Sequence, residues 1–252
     1  MKLFRLSLLW ILLIVGVPFG MPQLISYASS IGEPAASWST ARRDRTYISP
    51  SPDAYEPAII QVFGAKTWGW RGRFGIHTWI AIKGEGASNF VRYEVIGWRA
   101  YSGNPSLTIR QGNPDNYWFG NQPEILAELR GKEAQNLIPR LRAAINNYPH
   151  KNDYVLWPGP NSNSFTAHIG RQFPELKLDL PPTAIGKDYL VGGDFVGKPT
   201  SGKGFQFSIS GYGGFAISPV EGVELHLLGL TTGFDFNDKV LKIPGFGRIS
   251  LN

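Results

Sequence analysis

The feature that most limits how this chain can fold is an apolar run near its start that contains no charged residue. The run extends from Leu6 to Gly32 and follows two cationic residues, Lys2 and Arg5. An uncharged stretch of this length is typical of a membrane-spanning helix or of a signal peptide. Residues 1–32 are therefore predicted to be a signal anchor or a signal peptide.

The sequence leaves cleavage of this segment open. Pro18, Gly20 and Pro22 weaken continuation of a helix, which favours a short, cleavable signal peptide. The best small-residue cleavage site, at residues 26–28, lies far from the most apolar part of the run, and the whole run is long enough to span a bilayer, which favours a retained anchor. In both cases the early positive charges predict that the bulk of the chain lies on the periplasmic or extracellular side of the cell membrane.

The remainder of the chain has the length of one domain. Residues 33–57 are predicted to be a linker, and residues 58–252 a single globular domain. Hydrophobic residues make up 42% of the sequence, which allows a sizeable core, and 30 glycines and 19 prolines favour turns and short strands. We expect an α+β fold, with an antiparallel sheet or partial barrel and a few short helices.

Local patterns place these elements along the chain. β-branched and aromatic segments separated by glycine-rich turns predict three successive antiparallel strands in the first half and further strands in the last third. Apolar residues at spacing four predict two short helices, or one kinked at Pro139, and a later helix that begins with a polar cap. The strands are predicted at residues 58–63, 74–83, 91–98, 204–209, 215–217, 223–230 and 241–251, and the helices within 123–147 and from 161–164 onward.

Composition excludes several kinds of chemistry. The chain has no cysteine, so disulfides, thiolate metal sites and a cysteine nucleophile are impossible. Its four histidines stand in no metal-binding arrangement, and no phosphate-binding or dinucleotide motif occurs, so we expect no metal and no cofactor. The net charge of +6 is consistent with simple solubility or with anionic envelope partners; nucleic acid is not expected.

One pair of segments suggests catalysis. His77 lies on a predicted strand, and the sequence NSNSF at residues 161–165 opens a predicted helix. In order, spacing and element type this arrangement resembles the circularly permuted, NlpC/P60-type branch of the papain-like superfamily. The resemblance implies a nucleophile at Ser162, where the family has cysteine, a base at His77, and a third polar group at Tyr93 or Glu94.

The helix start suits this chemistry because its free N–H groups favour a developing oxyanion, which predicts donors near Asn163. A serine hydroxyl is far less acidic than a thiol, so His77 would have to accept its proton during attack. The predicted activity is hydrolysis or acyl transfer at an amide or ester of the envelope.

Two alternatives remain open for the same residues. The site could be a non-catalytic cleft that binds a peptide, glycan or lipid of the envelope, edged by Trp79, Trp157 and Lys187 and using Asn161 and Asn163 as polar contacts. The polar cluster could also simply cap the helix, with the His77 ring packed in the core.

Several longer strings are similar to those of a bacterial family known as domain of unknown function 3750. That resemblance implies an envelope protein and supplies no reaction. The strings are ARRD at residues 41–44, WGWRG at 68–72, HTW at 77–79, WPGPNSN at 157–163, PPTAIGKDY at 181–189 and PGFGR at 244–248.

Overall fold

The computed structural model describes residues 12–28 and 37–251, and it is an α+β protein with two antiparallel sheets and few helices. The first sheet contains β1 (Ile59–Lys66), β2 (Ile76–Lys83), β3 (Val91–Val95), β4 (Leu107–Gln111) and β5 (Glu124–Arg130). The second contains β6 (Val196–Gly197), β7 (Phe205–Ser208), β8 (Gly213–Ser218), β9 (Gly222–Leu227), β10 (Leu230–Asp235), β11 (Val240–Ile243) and β12 (Gly247–Ser250). The α-helices are α1 (Met21–Ala28), α2 (Gly97–Tyr101), α3 (Gly131–Asn146) and α4 (Ser162–Gln172).

The N-terminal segment is described only in part, because residues 1–11 and 29–36 lie outside the described ranges. Leu12–Gly20 form a π-helix that contains Pro18, and α1 follows directly. Proline has no N–H to donate, which disturbs regular α-helical hydrogen bonding at this point. Within the described residues, no helix combines the length and apolar character needed to span a bilayer, so the expected long apolar helix is not found there.

The first sheet has the order β4-β3-β2-β1-β5, and the three strands predicted at residues 58–98 form its centre. Side chains of a strand alternate between the two faces of its sheet. On one face, Ile80 and Ile82 belong to the main core with α3 and α4. On the other face, Trp79 and Ala81 form a second apolar cluster. Both faces are therefore buried.

The region predicted to be helical at residues 123–147 differs from expectation. Its first part is β5, which pairs antiparallel with β1, and only the remainder is helical. Pairing with an open strand edge satisfies the backbone groups of β5 and outweighs its helical pattern. Pro139 lies inside α3, which runs continuously from Gly131 to Asn146 rather than as two helices.

The last third forms the second sheet, with the order β12-β11-β10-β9-β8-β7-β6. Two separate antiparallel sheets thus replace the one sheet or partial barrel expected. The strand predicted at residues 223–230 is not continuous. It contains most of β9, a turn at Leu228 and Gly229, and the first residue of β10, and β9 and β10 pair as a hairpin.

Part of the predicted linker packs on the Trp79 face of the first sheet. The Arg45 guanidinium donates to the Asp115 carboxylate at 3.0 Å, and the Asp115 side chain is fully buried. The Ser49 backbone N–H donates to the other Asp115 oxygen at 3.0 Å. These contacts hold residues 45–49 against the segment that follows β4.

Candidate ligand-binding site

Strand alternation separates the residues of the expected catalytic pair. His77 lies on the Trp79 face of β2, where its ring stacks on Trp118. Thr78 points to the opposite face, where its hydroxyl donates to the Ser162 carbonyl oxygen at 3.1 Å. Helix α4 therefore begins on the face that His77 does not occupy, and no hydrogen bond joins His77 and Ser162, both of which are described.

The start of α4 is a complete capping arrangement. The Asn161 side-chain oxygen accepts from the backbone N–H groups of Asn163 at 2.9 Å and Ser164 at 3.0 Å. The Ser164 hydroxyl accepts from the Asn161 backbone N–H at 2.7 Å. The donors expected to stabilise an oxyanion near Asn163 are thus already engaged within the helix start.

Both asparagine side chains also connect loops. The Asn161 amide donates to the carbonyl oxygens of Leu156 at 2.9 Å and Ile185 at 3.1 Å. The Asn163 amide donates to those of Ile76 at 3.1 Å and Ile185 at 3.0 Å. Each amide that was expected to contact substrate is therefore engaged with backbone in the folded chain.

Of the two candidates for the third polar group, the structure brings only Glu94 to His77. Tyr93 lies directly opposite Ile80, so it shares the core face and points away from His77. The Glu94 carboxylate lies on the other face, 3.2 Å from His77 Nε2. Burial lowers the pKa of His77, against the opposing effect of Glu94, and favours the neutral imidazole.

The residues expected to edge a cleft do not meet. Trp79 is fully buried, and its indole N–H donates to the Pro114 carbonyl oxygen at 2.7 Å. Lys187 is buried elsewhere, beneath the second sheet, and donates to Glu224 at 2.8 Å. Trp157 is exposed, and its ring packs edge-on against Tyr212.

A pocket instead opens above the His77 and Glu94 pair. Its volume is about 310 Å³, and its described lining includes no aspartate or glutamate. Two groups of side chains dominate it, the arginines Arg43, Arg92, Arg99 and Arg110 and the aromatic residues Trp98, Tyr117, Trp118 and Phe119. We refer to it as the arginine pocket.

The buried Glu94 carboxylate lies beneath the arginine pocket and pairs with two of its arginines. Glu94 accepts from the Arg92 guanidinium at 2.7 Å and from that of Arg110. Burial by itself would raise the pKa of Glu94, but Arg92 and His77 hold it well below its ordinary value. One carboxylate thus faces two of the four arginines, and the pocket keeps an excess of positive charge.

Stacked rings lead from the base of the pocket to the surface. The His77 and Trp118 ring centroids lie 3.8 Å apart, and those of Trp118 and Trp98 lie 5.7 Å apart. Trp98 is half-exposed. The outer end of this column therefore offers an accessible aromatic face beside the guanidinium groups.

Two polar atoms of the pocket lining are buried without a hydrogen-bond partner among the described residues. They are Nε of Arg92, a donor, and the side-chain oxygen of Asn116, an acceptor. Buried polar atoms are normally paired, and a bound ligand or water is the usual partner of those that are not. The described part of the chain places no three His, Asp or Glu side chains where they could hold a metal ion.

Sequence reasoning missed the residues of this pocket. A usable signal was present in β3, where Arg92 and Glu94 alternate with apolar residues at a period of two. Charged side chains at that period lie on one face of a strand. In a sheet buried on both faces, such charges must be paired with an opposite charge or must contact a ligand.

These features define an α+β protein with an arginine-lined pocket on its first sheet. The chain belongs to the DUF3750 family, described as a protein of unknown function, whose model matches residues 57–189. The match confirms the expected family membership and covers the first sheet, α4 and most of the pocket. The papain-like resemblance is not confirmed. No curated protein and no solved structure matches the chain.

Proposed function

We propose that this protein is a non-catalytic binding module that recognises an anionic glycan of the cell envelope through the arginine pocket. The observation that carries the proposal is a pocket with four arginines, no acidic lining residue among those described, and a buried, unpartnered Arg92 Nε. This function is the binding alternative expected from sequence, moved to a different group of residues.

The chemistry of the pocket matches a sugar that bears a carboxylate or phosphate. Guanidinium groups bind both anions through paired hydrogen bonds. The half-exposed Trp98 ring beside them offers an apolar platform on which a sugar ring can stack. A volume of about 310 Å³ lies at the lower end of the range for ligand sites, which suits one or two sugar units.

The envelope location is part of the proposal. Its support is the uncharged run from Leu6 to Gly32 behind Lys2 and Arg5, a pattern typical of exported chains. Ligands available on the outer side of the membrane include acidic wall polymers and phosphate-bearing glycolipids, and their shared chemistry is an anion on a sugar.

A serine hydrolase built on Ser162 and His77 has less support. His77 lies on one face of β2, whereas the helix start that carries Ser162 packs on the other face, and the Asn163 backbone N–H is engaged by Asn161. A direct test is labelling with a serine-directed phosphonate probe in the wild type and in Ser162→Ala. We expect neither to react, and labelling that disappears in the variant would favour the hydrolase.

Binding can be measured by titrating glucuronic acid and glucose 6-phosphate into the full chain while following intrinsic tryptophan fluorescence, with glucose as the neutral control. We expect both anionic sugars to bind more tightly than glucose. Arg110→Gln should weaken their binding about tenfold or more, because a hydrogen bond to a charged group contributes about 1.5–3 kcal/mol.

The matched control is Arg140→Gln on α3. The Arg110 and Arg140 side chains are 61% and 65% exposed and each pairs with a glutamate, but Arg140 lies outside the pocket. Equal binding by the two variants, or equal binding of glucose and its phosphate, would contradict the proposal.

A further inference from the structure

The second sheet has the reverse of the usual arrangement of polar and apolar side chains. Its inward positions are buried and mostly polar, and they include Gln206, Ser218, Glu224 and Lys242. Its outward positions carry phenylalanine, leucine, isoleucine and valine. Soluble antiparallel sheets usually bury the apolar face and expose the polar one.

Buried ion pairs fix this orientation. Glu224 accepts from Lys187 at 2.8 Å and from Lys242 at 2.7 Å, and Lys242 also donates to Asp179 at 2.9 Å. Shifting the register of a strand by one residue would move its inward side chains to the outward face, and the ion pairs would be lost. The outward apolar face is therefore a determined feature of the fold.

The outward side chains form one continuous surface, which we call the apolar face. Cross-strand pairs connect Phe207 with Phe215 and Phe215 with Leu225, and a parallel row connects Ile217 with Val223. The six strands β7 to β12 span about 24 Å at a spacing of about 4.8 Å, and strands of 4–6 residues are about 14–20 Å long, so the face covers roughly 400 Å². None of the outward strand positions is charged.

The turns at one end of the sheet extend this surface. Ile209, Tyr212, Leu228 and Phe246 all belong to turns at that end, and each is exposed. Trp157 packs against Tyr212. Exposed apolar turns that include tryptophan and tyrosine are typical of protein segments at a membrane interface.

The N-terminal apolar segment lies beside the same sheet, since the π-helix Leu12–Gly20 contacts β10. The N-terminal segment and the second sheet are therefore neighbours in the folded chain. A protein partner would be expected to form about one hydrogen bond per 100–200 Å² of interface. The outward strand positions offer one polar side chain, Thr232, and its hydroxyl already donates to the Lys242 carbonyl oxygen at 3.2 Å.

From these observations we propose that the apolar face of the second sheet lies on the surface of a lipid bilayer, the same membrane that the apolar run at residues 6–32 is predicted to enter. The backbone hydrogen bonds between neighbouring strands are made within the sheet, and the Thr232 hydroxyl is itself hydrogen-bonded, so the rest of the face presents apolar side chains to lipid. The arginine pocket belongs to the first sheet, so this membrane contact is independent of the proposed ligand.

The test uses the absence of cysteine from the chain. Ile217→Cys on β8 and Ile109→Cys on β4 replace strand isoleucines that are 52% and 50% exposed, one on the apolar face and one on the first sheet. Each full-length variant is labelled with an environment-sensitive fluorophore and reconstituted into vesicles of phosphatidylethanolamine and phosphatidylglycerol. Quenching is then measured with nitroxide-labelled lipid and with a water-soluble nickel chelate.

We expect the nitroxide lipid to quench the probe at position 217 at least about fivefold more than the probe at position 109, because a face docked on a bilayer lies about 5–10 Å into the headgroup and acyl boundary. The nickel chelate should give the opposite order. Equal access of both probes to the chelate would overturn the proposal. Protection of the 217 probe from both quenchers would overturn it in favour of a protein cover, either a second copy or the chain's own N-terminal segment.

Discussion

Side chains alternate between the two faces in both sheets of this protein, but the two sheets differ in which faces are buried. In the first sheet, Ile80 and Trp79 are neighbours on opposite faces and both are fully buried. In the second, Glu224 is buried and its neighbour Leu225 is exposed. The difference shows that alternation defines which residues share a face, whereas the layers packed on each face decide which one meets solvent.

The comparison can be broken most directly with one phenylalanine from each sheet. Phe63 on β1 is fully buried and stacks on Trp79, whereas Phe205 on β7 is 45% exposed. Phe63→Ala should lower the free energy of unfolding by about 3–5 kcal/mol, and Phe205→Ala by less than about 1 kcal/mol. Urea denaturation monitored by circular dichroism measures both. Similar losses would mean that protein covers the apolar face.

The second sheet should depend on its buried charges instead. Glu224→Gln leaves Lys187 and Lys242 without their shared carboxylate in a buried site, so we expect a loss of about 3 kcal/mol. Glu175→Gln, which removes an exposed partner of Arg140, should change stability by less than about 1 kcal/mol. The same denaturation experiment applies, and a negligible effect at Glu224 would contradict a structural role for the cluster.

Each sheet also contains a buried histidine whose pKa is lowered, chiefly by burial: His77 in the first and His226 in the second. Each of these histidines binds a proton more readily in the unfolded chain than in the folded one. The stability that comes from keeping the ring neutral is therefore present above about pH 6.5 and is lost as pH falls below that value. Each histidine contributes a slope of at most about 1.4 kcal/mol per pH unit. Thermal denaturation at pH values from 7.5 to 5 measures how steeply stability falls with pH. This dependence should be weaker in His77→Gln and in His226→Gln than in the wild type, and an unchanged dependence would be inconsistent with neutral buried rings.

The smallest expected effect concerns the helix that packs on the first sheet. Asn161→Ala removes the cap of α4 and should lower stability by about 1 kcal/mol or somewhat more, since its amide also connects two loops. Ser162→Ala should change stability by less, because the Ser162 hydroxyl is not the capping group. A larger loss at Ser162 than at Asn161 would require a different account of the helix start.

Much of the first sheet could be predicted from sequence because its information is local. The segments around Ile60, Ile80 and Val95 combine β-branched residues with glycine-rich turns, and each forms a strand in the predicted order. Residues 161–164 carry a capping signal that needs no tertiary context, and α4 begins there. Family membership was likewise contained in strings that are contiguous in the chain.

The rest depended on contacts between distant residues. Sequence cannot tell that β5 pairs with β1, which decides that residues 124–130 are a strand. It predicts that His77 and Thr78 point in opposite directions, but not that α4 packs on the Thr78 side. For the same reason, the expected site joined Ser162 to His77, and the arginine pocket, assembled from residues 43 to 119, was missed.

The shared carboxylate of Glu224 has a consequence for how this protein can change over evolutionary time. Because Lys187 and Lys242 share it and Lys242 also pairs with Asp179, these four positions should be inherited together, and loss of one should be followed by replacement of the others. The outward positions beside them, such as Val223 and Leu225, have no charged partner, so substitutions among aliphatic and aromatic residues should be tolerated there. Relatives of this chain should therefore show a sheet in which constraint alternates residue by residue, with the polar positions fixed and the apolar ones drifting.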